Sequence, residues 1–226
     1  MQHRRLFIFN NLFIAFTGVL SIIVTITIGS RGTRLDGETT AYWQQIFTFT
    51  LLSNLFLSLV CIVAAIMTAF RQPLARSFPI WQLAATTATT VTLLTVLFFL
   101  APMRAAHGKN YFDMLLEPMF FLHFFNPLLA IITYIFATGD QPTTLKSRLL
   151  ATVPVIIYAA IYVICVVVTQ VWPDFYGLTF SGRYYLAPLV VLVFWLLAFA
   201  SASLLTFFRH RRIGNQTTHL ATNPLP

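Results

Sequence analysis

Six apolar runs of about 20 residues, the length needed to cross a hydrocarbon core, fill most of this chain: residues 6–29, 46–70, 80–101, 118–138, 149–171 and 186–208. The connections between them are short and carry loop punctuation at Gly32, Pro73, Pro79, Gly108, Gly139, Pro142, Pro173 and Gly182. No loop has room for a soluble domain. Charged residues make up only 9% of the chain, too few to cover a soluble globule of 226 residues that carries 23 Phe. The pattern predicts an all-α polytopic membrane protein. A bundle of six transmembrane helices would occupy residues 1–208, and a basic, then polar, disordered tail residues 209–226. Pro118 is expected to open the fourth helix, where a missing N–H costs nothing. Arg4 and Arg5 precede an apolar run too long for a signal peptide and without a small-residue cleavage site, so an uncleaved first span is expected. Cys61 and Cys165 sit inside apolar runs and read as small hydrophobes.

The net charge of +8 first suggests nucleic acid, but its placement points to a membrane instead. Nine of the fourteen basic residues lie at the N-terminus, in the second and fourth loops, and in the tail (Arg4, Arg5, Arg71, Arg76, Lys146, Arg148, Arg209, Arg211, Arg212). The other loops hold five basic residues and five of the six acids. By the positive-inside rule both termini are expected in the cytoplasm of a multi-pass cell-membrane protein, with the tail against anionic lipid and no nucleic-acid partner.

No Asp, Glu, Lys or Arg falls inside a run, which weakens an ion-coupled carrier. His123 is the one histidine at membrane depth. An interhelical hydrogen bond competes there with a role as general base or ligand. Thr50, Asn54 and Ser58 recur every four residues and form one polar stripe on the second span, with Ser53 beside them. Such stripes also serve as packing glue between membrane helices. Counted from the ends of their runs at 1.5 Å per residue, Thr50 and His123 both lie about 6–8 Å below the same boundary, where a nucleophile and its base could meet. Asp174 and Tyr176 of the fifth loop share that side. Asp174 or Glu117 would balance His123 and Tyr176 would donate to an oxyanion; an interfacial aromatic belt with solvated acids is the plainer reading. Asn54 and Asn126 are further oxyanion candidates. The threonines of the third run (Thr86, Thr87, Thr89, Thr90, Thr92 and Thr95) surround the helix and read as packing. Phosphate loops, zinc-ligand spacings and serine elbows are absent, so neither cofactor nor metal is expected.

Two phrases add a resemblance: Phe49-Thr50-Leu51-Leu52-Ser53-Asn54-Leu55, and Leu122-His123-Phe124-Phe125-Asn126-Pro127-Leu128-Leu129. Together with Trp172-Pro173-Asp174-Phe175-Tyr176-Gly177, they are similar to the six-span family of androgen-induced and androgen-dependent membrane proteins, its bacterial branch above all. The resemblance implies a threonine hydrolase of fatty acid esters of hydroxy fatty acids, with Thr50 as nucleophile and His123 as base. The Ser53-Asn54 continuation and the His-to-Pro spacing depart from the animal pattern. Ser53, Asn54, Asn126, Asp174 and Tyr176 would form the surrounding or oxyanion set, and a lipid ester the substrate. The alternative is a non-catalytic membrane protein that binds lipid or a small solute, as transporter or sensor.

Overall fold

The computed structural model describes residues 2–27, 32–33, 39–40, 42–115, 119–137, 143–176 and 182–222. Five helices among them are long and apolar enough to cross a membrane: α1 (Gln2–Thr27), α2 (Phe49–Ala69), α3 (Phe78–Ala106), α5 (Leu145–Val168) and α6 (Ala187–Thr222). A sixth apolar helix, α4 (Phe121–Ala137), is shorter. Outside the helices the described residues hold one two-residue antiparallel pairing, Gly32–Thr33 with Thr39–Thr40. Glu117 and Pro118, given roles above, lie outside the described residues.

Local chemistry sets the helix ends. Thr48 caps α2 by accepting from Leu51 N. At the other end Arg4 of α1 donates to Thr68 O and Ala69 O, carbonyls of the last turn. α5 starts at Leu145, earlier than the apolar run, because Thr144 and Ser147 form a reciprocal capping box. α3 and α6 each have a proline in the first turn, Pro79 and Pro188.

Two helices contain a π-helical turn just ahead of a proline. In α3 the turn is Val96–Leu100, followed by Ala101-Pro102; in α4 it is Phe121–Phe125, followed by Asn126-Pro127. A proline has no N–H for the carbonyl four residues back, and its ring crowds that oxygen. Those carbonyls belong to Phe98 and His123, the central residues of the two turns. The backbone widens by one residue, and the N–H just before each proline reaches back five positions, from Ala101 to Val96 O and from Asn126 to Phe121 O. A third π turn, Ile164–Val168, ends α5 without a proline four residues beyond its centre.

α3 is the hub. It packs against α2, α4, α5 and α6, and 72% of its most apolar stretch is buried, against 28% for α5 and for α6. Ala84, Ala85 and Ala88 keep its surface low enough for four neighbours. α1 lies along α2, and a Cβ added at Gly18 would overlap Ser58 Oγ, so only glycine permits this approach. α6 runs on to Thr222, beyond the boundary expected at residue 208, and Arg209 is 1% exposed beside the Tyr134 ring rather than in a free tail. The Arg guanidinium donates to Tyr134 Oη at 3.3 Å.

Candidate functional site

The first turn of α2 brings two of the sequence candidates, Thr50 and Tyr176, to one cavity. Thr50 is 7% exposed and lines a cavity of about 40 Å³, large enough for a water or two. The cavity is walled by α3 (Thr92, Thr95), α5 (Tyr158, Tyr162), α6 (Val190, Phe194) and the loop residue Tyr176. The orphan N–H groups of a helix start need acceptors. Here the acceptor comes from far along the chain, since Phe49 N donates to Tyr176 Oη at 2.8 Å. Burial pushes the Tyr176 hydroxyl up to about 12, so it stays protonated at neutral pH and keeps a hydrogen to give.

Tyr158 and Tyr162 complete an aromatic wall. Tyr158 Oη donates to Phe47 O at 2.9 Å and meets the Tyr176 hydroxyl. Tyr162 Oη donates to Asp174 Oδ1 at 2.5 Å. Asp174 is thereby tied to Tyr162, twelve residues away on α5. The sequence pattern did not single out the two tyrosines, although their spacing of four places them on one helix face. Thr92 and Thr95 read as packing in the sequence, yet both line the cavity, and Thr95 Oγ1 is buried without a hydrogen-bond partner.

Ser53 and Asn54 stand one turn deeper. Ser53 Oγ is 3.1 Å from Thr50 O and 2.9 Å from Thr92 Oγ1. Asn54 Nδ2 donates to Thr50 O at 2.9 Å and to Leu122 O at 3.0 Å. Both amide hydrogens are therefore used on backbone carbonyls, and Asn54 has none for an oxyanion. It acts as a clamp between the Thr50 turn and the residue preceding His123. Its Oδ1 is buried without a partner.

His123 is 4% exposed, at the centre of the π turn of α4. The clamp brings its backbone to the level of the Thr50 turn. Yet no residue of α4 lines the Thr50 cavity. Asn126, fully buried on α4, meets Thr17 Oγ1 through Oδ1 at 2.7 Å, while Thr17 Oγ1 also lies 2.8 Å from Phe13 O. Asn126 Nδ2 has no partner and lies near Gly18. Ser58 Oγ donates to Asn54 O at 2.8 Å. The polar stripe of α2 thus divides. Thr50 faces the cavity, while Asn54 and Ser58 join α2 to α4 and α1. Among the described residues no group of three His, Cys, Asp or Glu side chains could hold a metal.

Comparison with protein-family models, with curated proteins and with solved structures finds no match in any of the three.

Proposed function

We propose that this chain is a six-span cell-membrane protein with both termini cytoplasmic, and an intramembrane lipid esterase of the threonine-hydrolase kind that its sequence resembles. The observation that carries the reading is the setting of Thr50: a buried hydroxyl-bearing residue, lining a water-sized cavity beside a neutral Tyr176. In this reading His123 takes the Thr50 proton as Oγ1 attacks the ester carbonyl. Tyr176 Oη donates to the developing oxyanion. The alcohol leaves with a proton from the imidazolium, and a water then attacks the acyl-threonine with His123 again as base. Asn54 holds the two turns in register, and the substrate is drawn from the bilayer.

A second reading rests on the cavity wall. Its lining is supplied by α2, α3, α5, α6 and Tyr176, without α4, and is mostly apolar, which suits a binding site for a small solute or part of a lipid. A fluorophosphonate probe on purified protein separates the two. Wild type is expected to be labelled and to hydrolyse lipid esters, Thr50→Ala to do neither, and Thr50→Ser to keep part of both. Unlabelled wild type with no ester hydrolysis would leave the binding reading in its place.

A further inference from the structure

Away from the Thr50 cavity, α2 and α5 both pack on α3 and leave a groove of about 580 Å³ between them. Ala84 and Ala88 of α3 form its floor. Leu52 and Phe56 form one wall, and Val153, Pro154 and Ile157 the other. The volume is that of a ligand site, roughly 300–1,000 Å³. Two sequence features open it: alanines put no bulk on the floor, and Pro154 interrupts the hydrogen-bond ladder inside α5, where helices bend.

The groove has two unlike ends. At one end the Phe49 and Tyr158 rings, 5.0 Å apart, close it and separate it from the Thr50 cavity, which they also line. At the other end it opens at Ser77 and Leu150. Arg76 directly precedes Ser77. Lys146 lies one helical turn before Leu150, on the same face of α5. Both cations are exposed. From Leu150 at the open end to Tyr158 at the closed end, eight residues at 1.5 Å each span about 12 Å. That is most of one leaflet, which is about half of a ~30 Å hydrocarbon core.

We propose that the groove is a docking site for one acyl chain of an anionic phospholipid, whose phosphate sits between Arg76 and Lys146 and whose methyl end stops at Phe49 and Tyr158. An apolar slot most of one leaflet deep with cations only at its open end matches a lipid in charge as well as in length. This rests on the membrane-spanning reading above and is independent of ester hydrolysis.

The test uses purified full-length protein in nanodiscs doped with phosphatidylglycerol carrying a diazirine in its acyl chain, with cross-links mapped by peptide mass spectrometry. Cross-links are expected at least fivefold more often on α2, α3 and α5 groove residues than on the exposed Leu192 and Leu196 face of α6. Val153→Trp and Ile157→Trp, exposed positions where a larger side chain fills the groove without entering the core, should each remove most of that excess. Leu52→Trp does the same from the opposite wall should either variant prove unstable. Arg76→Gln with Lys146→Gln should lower phosphatidylglycerol cross-linking to the level given by phosphatidylcholine. Labelling no denser in the groove than at Leu192, or unchanged by all three tryptophans, would overturn the site. Equal labelling by phosphatidylcholine, or by a free diazirine fatty acid, would overturn the anionic phospholipid as occupant. Fluorophosphonate labelling run alongside reports on Thr50 separately, so loss of either proposal leaves the other standing.

Discussion

Asn54 and Tyr176 do different work although sequence reading grouped them as oxyanion donors. Both hydrogens of the Asn54 amide are held by Thr50 O and Leu122 O. In Asn54→Ala, Thr50 O keeps the Ser53 hydroxyl as a donor, and the loss falls on Leu122 O, a cost of about 1–3 kcal/mol before any relaxation. A fall in the melting temperature is expected, with activity per folded molecule changed less than stability; an undiminished melting temperature would refute the clamp. Tyr176 Oη lines the cavity, accepts from Phe49 N and stays protonated. Tyr176→Phe should leave KM nearly unchanged and lower kcat about 10²–10³-fold, the usual effect of removing one oxyanion donor. Equal ester turnover by the phenylalanine variant would take Tyr176 out of the reaction. Its neighbours Tyr158 and Tyr162 could have been read from their four-residue spacing, whereas the unpartnered Thr95 hydroxyl could not, because α3 carries threonines on every side.

The π turns show what a helix-level pattern conceals. Run lengths located the five helices long and apolar enough to cross a membrane and the shorter α4, and α2 came within a few residues: 46–70 expected, Phe49–Ala69 observed. Apolar periodicity does not register one extra residue in a turn, but proline chemistry does, since Pro102 and Pro127 each stand four residues after the centre of a π turn. In α4 the widened turn decides where His123 lies relative to the residues below it. Pro127→Ala restores an N–H for His123 O and lets the turn tighten. Losing one residue from the turn rotates the segment before it by about 100°. Fluorophosphonate labelling of Thr50 is expected to drop at least tenfold while thermal stability is kept or raised. Unchanged labelling would show that the π turn does not position the base. The groove between α2 and α5 was invisible in sequence for a related reason: it depends on which helices are neighbours, and one-dimensional hydropathy contains no neighbours.

At the scale of the whole molecule, charge separates the two ends. Arg4 meets the end of α2, and His210 Nε2 pairs with Thr143 Oγ1 just before α5, so the starts of α1 and α5 gather with the ends of α2 and α6. Arg71, Arg76, Lys146 and Arg148 belong to this end, and Asp113 and Asp174 lie in loops at the other. Single-cysteine variants in intact cells should react with an impermeant maleimide at position 178 and not at position 217. The reverse pattern would invert the proposed orientation.

The hub position of α3 also has a consequence for biogenesis. Its hydroxyls at Thr86, Thr87, Thr89, Thr90 and Thr92 are buried in the finished bundle. α5 and α6, which cover part of that surface, are translated last. A nascent chain paused after α4 would hold α3 covered by α2 and α4 alone, its Thr89, Thr90 and Thr92 hydroxyls turned onto carbonyls of its own helix. Completion of the chain, rather than insertion of each hairpin in turn, would then be the event that commits this protein to its fold, and a chain ending at residue 137 should be cleared by membrane proteases far faster than the full-length protein.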